Sequence, residues 1–128
     1  MKAQTGRLTT LNVVGGLIPV TLLLFVLTAA AYAHRAPTAK ERSAISRALH
    51  ASTATRAVHC FHVREVVVST VGPWARARVV RCSGQGDNAL TVLERQHGRW
   101  RVRDIGTAGT GCTVAPRRVR HDLHLICP

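Results

Sequence analysis

Residues 89–105 read ALTVLERQHGRWRVRDI. Two apolar stretches flank a polar centre, the pattern of a β-hairpin. Where the turn falls decides which side chains point together, because a one-residue slip sends every side chain to the opposite face. A two-residue loop at His97-Gly98 sets Leu93 opposite Val102 but brings Arg95 beside Trp100 on the core side. A three-residue loop, Gln96-His97-Gly98, gathers Leu90, Val92, Trp100 and Val102 on one face and leaves Arg95, Arg99, Arg101 and Arg103 on the other. Glycine at the third loop position suits the left-handed residue of a bulged hairpin, so the three-residue loop is expected. On this reading the alternating arginines are the solvated side of an amphipathic strand.

Working backwards, residues 58–70 (VHCFHVREVVVST) read as a strand, residues 71–74 as a turn and residues 75–82 as a returning strand. With Thr70 facing Ala75, Val66, Val68, Ala77 and Val79 share one face. Val67, Ser69, Arg76 and Arg78 share the other, with Glu65 near the arginines. Arg76 and Arg78 then join Arg95, Arg99, Arg101 and Arg103 in a single arginine-rich sheet surface, the candidate anion-binding site. Ser83–Asn88 is a flexible turn. Ahead of the strands, Thr38 and Glu41 fit a capping box, and Ala44, Ile45, Ala48 and Leu49 fall at helical spacing. Behind them, Gly106–Ala115 is a loop and Pro116 opens a short helix to about Leu123, with Val119 and Leu123 able to pack on the body. The expected fold class is α+β: one helix packed on a four-stranded antiparallel meander, with a short C-terminal helix.

The N-terminal 33 residues form a separate unit. Lys2 and Arg7 precede Leu11–Ala33, which carries no charge, and Ala31-Tyr32-Ala33 ends it. A positive start, an apolar stretch and an A-x-A site describe an export signal, with cleavage before His34. The rival reading is an uncleaved membrane anchor, since the uncharged run is long enough for an apolar core about 30 Å thick. Lys2 and Arg7 favour an outward-facing domain; Arg35, Lys40, Arg42 and Arg47 favour a cytosolic one. The expected organisation is therefore a signal or anchor at residues 1–33 and a small basic domain at residues 34–128. The expected location is secreted or on the outer face of the cytoplasmic membrane.

The domain holds Cys60, Cys82, Cys112 and Cys127. An even number in a small exported domain reads as two disulfides. Cys112–Cys127 closes a short loop and leaves Cys60 with Cys82. In the expected register those two lie on opposite faces, so their bond needs a bulge near Val80 or an early strand end. Zinc is not expected, because no C-x-x-C spacing occurs. Of the 18 Lys and Arg residues in the chain, Lys2 and Arg7 precede the domain, which leaves 16 against 6 acids and a formal charge of +10. A body this small with that charge attracts polyanions.

Residues 37–45 (PTAKERSAI), 69–77 (STVGPWARA) and 100–112 (WRVRDIGTAGTGC), with the PRRV that follows at 116–119, resemble a group of small, exported, largely uncharacterised actinobacterial proteins. The resemblance covers most of the chain after Ala33. It implies an exported α+β domain and no activity, cofactor or site residue. A helix followed by a meander is also similar to cystatin-like and nuclear-transport-factor-like folds, an analogy of architecture that does not set function.

Catalytic chemistry lacks its parts. No serine lies in a G-x-S-x-G elbow, and the thiols are expected to be oxidised. Glu65 and Glu94 sit among arginines, where ion pairing is the plain role. His59 and His62 alternate across a strand and cannot chelate together, while His121 and His124 supply half a site at most. No metal, cofactor or enzymatic activity is expected. Nucleic acid is disfavoured as a partner, because Trp74 falls in a turn and Trp100 points inward, so no aromatic platform accompanies the arginines. Gly-Thr-Ala-Gly-Thr-Gly at 106–111 matches a phosphate loop in composition only. The expected role is a non-enzymatic binding domain contacting anionic lipid head groups or cell-wall polymers. The alternatives are an accessory or inhibitor domain with a protein partner and, last, a small hydrolase.

Overall fold

The computed structural model describes residues 34–128. The first helix, α1 (Ala39–Ala51), starts where the sequence supplies a cap. The Thr38 hydroxyl accepts from the Glu41 amide and the Glu41 carboxylate accepts from the Thr38 amide, so two orphan donors are met reciprocally. Ile45 and Leu49 are fully buried, and Ala44 and Ala48 pack beside them. The helix ends at Ser52, whose hydroxyl accepts from Ala54 N to start a single 3₁₀ turn over Thr53–Thr55.

Four strands follow: β1 (Phe61–Val68), β2 (Trp74–Arg81), β3 (Ala89–Gln96) and β4 (Arg99–Gly106). They form one antiparallel sheet in the order β1-β2-β3-β4. Arg35 bridges to Val68 through paired backbone bonds of 2.8 and 2.9 Å, which ties the start of the domain to the outer edge of β1.

Two bulges decide the faces. In β1, Glu65 and Val66 together oppose Ala77, and Glu65 adopts a left-handed backbone, φ 47°. Below the bulge the register moves by one residue, so Cys60 comes opposite Cys82 and bonds to it, with a Cα–Cα distance of 5.4 Å. The bulge lies in β1, not near Val80. Val68, not Thr70, pairs with Ala75. That two-residue difference preserves parity, so Val66, Val68, Ala77 and Val79 still share a face.

The second bulge corrects the expected hairpin. Gln96 pairs with Arg99, which leaves a two-residue loop at His97-Gly98 rather than three residues. Both loop residues are left-handed, φ 48° and 77°. Such a turn twists with its strands, whereas the common right-handed turns splay them. The extra residue sits further up β4: Val102 pairs with Leu93 and Asp104 with Val92, leaving Arg103 over. Leu93, not Leu90 or Val92, therefore joins Trp100 and Val102. Arg95 pairs with Trp100 and is removed from the side of Arg99, Arg101 and Arg103.

Each sheet face carries its own core. On one, Ile45 and Leu49 of α1 pack with Phe61, Val66, Val68, Ala77, Val79, Leu93 and Trp100. On the other, the C-terminal segment and α2 (Arg117–Asp122) lay Ala115, Val119, Leu123 and Leu125 over Trp74 and Val92, with Val67 and Leu90 at the border. Trp74 thus begins β2 as a buried core residue instead of lying in a turn. Cys112–Cys127, with a Cα–Cα distance of 5.6 Å, staples this segment. Gly111 makes the cover possible: a Cβ there would come within 2.7 Å of both Val92 and Leu125.

Asp122 locks the second layer to the sheet. It is fully buried, and its carboxylate accepts from Ser69 Oγ at 2.6 Å, Thr70 N at 2.8 Å and Thr70 Oγ1 at 3.2 Å. Burial alone would raise its pKa. The Ser69 hydroxyl, the Thr70 amide and hydroxyl, and the charge of His34 outweigh that and hold it below the ordinary carboxylate value. The signal or anchor reading concerns residues 1–33 and lies outside the described residues. Among the described residues no helix is long and apolar enough to cross a membrane.

Candidate anion-binding surfaces

The six arginines expected on one surface fall into three places. Arg99, Arg101 and Arg103 project from β4 on the side opposite Trp100, and all three are exposed while Trp100 is only 8% exposed. Alternation along a strand does this without further help. The neighbouring acid on β3, Glu94, is already engaged, accepting from Gln96 Nε2 at 2.8 Å and pairing with Arg103 at 3.5 Å. Arg117 and Arg118 of α2, which covers this side of the sheet, are exposed as well.

Arg76 and Arg78 share that side of the sheet but not that neighbourhood. They lie on β2, opposite Val92 and Leu90 of β3, which separate them from β4. With the loop at residues 107–110, Leu90, His124 and Ile126 they line a cleft of about 310 Å³. Arg78 donates through Nε to Glu65 at 2.9 Å, an exposed pair created by the β1 bulge. Such a pair contributes little to stability, on the order of 0–1 kcal/mol. Arg76 is half-buried, and its Nε is enclosed without a hydrogen-bond partner. Thr110, 4% exposed, has an enclosed and unpartnered Oγ1 in the same cleft.

Arg95 stands apart from both groups. It borders a second cleft with Trp100, Arg35 and Glu41, on the α1 side. There the Glu41 carboxylate meets Arg35 at 2.6 Å. The Arg35 hydrogen bond, with help from the Thr38 amide, draws the Glu41 pKa from 4.5 down to about 2.

The four cysteines are all bonded, and no thiol is free among the described residues. Two disulfides point to an oxidising, extracytoplasmic environment. No cluster of three or more potential metal ligands occurs among the described residues. Of the residues that complete the Arg76 cleft, Thr110 carries no mark in the sequence beyond the glycine-threonine composition of residues 106–111, and His124 stands out there only as half of a metal site with His121. Much of that composition serves packing: Gly111 makes room for Leu125, and its amide donates to Asp104 Oδ2 at 2.7 Å.

No family model matches the chain, and no curated protein or solved structure matches it.

Proposed function

We propose that this is a non-enzymatic extracytoplasmic domain that contacts anionic surfaces of the cell envelope through the arginine row of β4, and that residues 1–33 either direct its secretion or hold it at the outer face of the membrane. The observation that carries the reading is the exposed row Arg99, Arg101 and Arg103, whose nearest acid, Glu94, is shared with Gln96. Near an anionic membrane each such residue contributes about 1 kcal/mol, and the contribution decays over a Debye length of roughly 8–10 Å. The formal +10 of the domain, 16 cations less 6 acids, adds long-range attraction. Five of the six acids, Glu41, Glu65, Glu94, Asp104 and Asp122, are occupied in caps, ion pairs and loop anchors. Using the acids structurally favours a binding role over general acid–base chemistry.

The test compares the parent chain with R99Q/R101Q/R103Q for binding to vesicles of phosphatidylglycerol in phosphatidylcholine at increasing salt. The triple variant is expected to bind more weakly at low salt and to show a flatter salt dependence, with an unchanged melting temperature. Equal salt dependence in the two chains would reduce the row to an ordinary solvated strand face.

A further inference from the structure

We infer that the cleft between β2 and the loop at residues 107–110 is a discrete site for the phosphoryl oxyanion of a small organic ligand, with Arg76 as its principal contact. This goes beyond the surface contact proposed for β4, and it uses different residues.

Arg76 supplies the first reason. A guanidinium is charged at every accessible pH and offers five donors in a planar fork. Burying it in part, with Nε enclosed and unpartnered, carries a desolvation cost that an anion would offset. No acid is among the residues that line the cleft: Glu65 is paired with Arg78, and Asp104, the residue that continues the Arg76–Val92 row onto β4, accepts from the amides of Ile105 and Gly111 at 2.9 and 2.7 Å. The second reason is Thr110, a residue of the same cleft whose enclosed Oγ1 also has no hydrogen-bond partner. Two independent polar groups thus lack partners at one place.

The shape and chemistry of the lining narrow the ligand. Arg76 and Arg78 are two residues apart on one strand, so their side chains rise from the same face of the sheet and can converge on one group. Arg78 keeps its two terminal nitrogens available because only its Nε is paired with Glu65. Two guanidinium groups around one centre match a tetrahedral phosphoryl oxyanion, which presents oxygens in several directions, better than a single planar carboxylate. A volume of about 310 Å³ holds more than an inorganic ion. The remainder of the wall is mixed: Leu90 lies half-buried in it and Ile126, 88% exposed, lines it as well, while Asn88, Thr107 and His124 add polar groups suited to a hydroxylated body. A phosphoryl group carried on a short apolar or glycerol body therefore fits. It can come from a soluble phosphate ester or from a lipid head group.

The full chain with both disulfides intact, in an uncharged detergent, is titrated by amide NMR with three probes: inorganic phosphate, glycerol 3-phosphate and dihexanoyl phosphatidylglycerol. The expected result is saturable 1:1 binding of at least one organic phosphate, with shifts centred on Ala108, Gly109 and Thr110. Tighter binding of glycerol 3-phosphate assigns the site to soluble esters, and tighter binding of the short-chain lipid assigns it to head groups. Arg76→Gln should weaken binding at least tenfold and Arg78→Gln severalfold, whereas R99Q/R101Q/R103Q should change it less than twofold. Should Arg76→Gln fail to fold, Arg78→Gln together with a rise in melting temperature of the parent chain on adding the organic phosphate decides the same question. Absence of saturation with all three probes, or undiminished binding in the arginine variants of the cleft, overturns the site. Loss of vesicle binding in the β4 variant with retained 1:1 phosphate binding separates this site from the surface proposed above.

Discussion

His97 holds a left-handed backbone without being glycine, φ 48°, because the two-residue turn requires it. The side chain makes that conformation costly by about 1–2 kcal/mol, and asparagine tolerates it better. His97→Asn is expected to stabilise the protein by about 0.5–1 kcal/mol, read as a rise in the chemical denaturation midpoint at constant slope. Gly111 is the opposite case. It combines φ 82° with side-chain carbons of Val92 and Leu125 that would lie 2.7 Å from a Cβ. Gly111→Ala should cost at least about 2 kcal/mol and loosen the C-terminal segment, seen as faster amide exchange in α2. Asp122, in the sequence, is simply an acid beside His121. In the fold its carboxylate is a buried acceptor for Ser69 and Thr70, partners more than fifty positions away along the chain. Nothing local announces such a role.

At the scale of elements, α1 is legible to the residue at its start, because capping is a local code: Thr38, Glu41 and the first turn are all within reach of one another. Thr38→Ala should lose about 1 kcal/mol in thermal or chemical unfolding. Glu41 adds a pH dependence. Its carboxyl titrates at about 2 in the fold against 4.5 when unfolded, and that of Asp122 is also lowered. The unfolded chain therefore binds more protons at acid pH. Stability contributed by these groups is full above about pH 5 and declines as the pH falls through 4.5 towards 2. Glu41→Gln should flatten that decline, and unfolding midpoints measured across the range check it. The sheet is legible as four strands in a meander, but not in its bulges. A bulge is selected by what it aligns at a distance: the one in β1 brings Cys60 to Cys82, and the one in β4 lets Trp100 and Asp104 each face a suitable neighbour. At β4 the outer edge is bounded by arginines and broken by its bulge, both of which discourage strand addition by another chain.

For the whole molecule, a core on each side of one sheet resolves how a domain of this size with little aromatic content holds together. α1 seals one face and the stapled C-terminal segment seals the other. Trp100→Ala should cost about 3–5 kcal/mol, as truncation of a buried aromatic does. C112S/C127S should cost about 3 kcal/mol in the chain-entropy account of a 15-residue loop and should selectively expose the second face. Calorimetry reports the first of these losses, and limited proteolysis after residue 111 reports the second. The charge is distributed on the same two-layer plan. Leu90 and Val92 of β3, packed with the C-terminal segment, lie between the arginines of β2 and those of β4.

Taken alone, the sequence determined the α+β class, the cap of α1, the number and order of strands, the inward Trp100 with outward Arg99, Arg101 and Arg103, and four cysteines consistent with two bridges. Each of these follows from spacing along the chain, where period two, period 3.6 and capping geometry act over a few residues. Only the tertiary structure decided the two-residue turn at His97-Gly98, the bulges at Glu65 and Arg103, the burial of Trp74, the separation of Arg95 from the other arginines, and the cleft that joins Arg76 to Thr110 and His124. Register parity is the physical reason. One extra residue in a strand inverts every face beyond it, and whether that inversion is favourable depends on the layer packed against the sheet, which no local pattern contains.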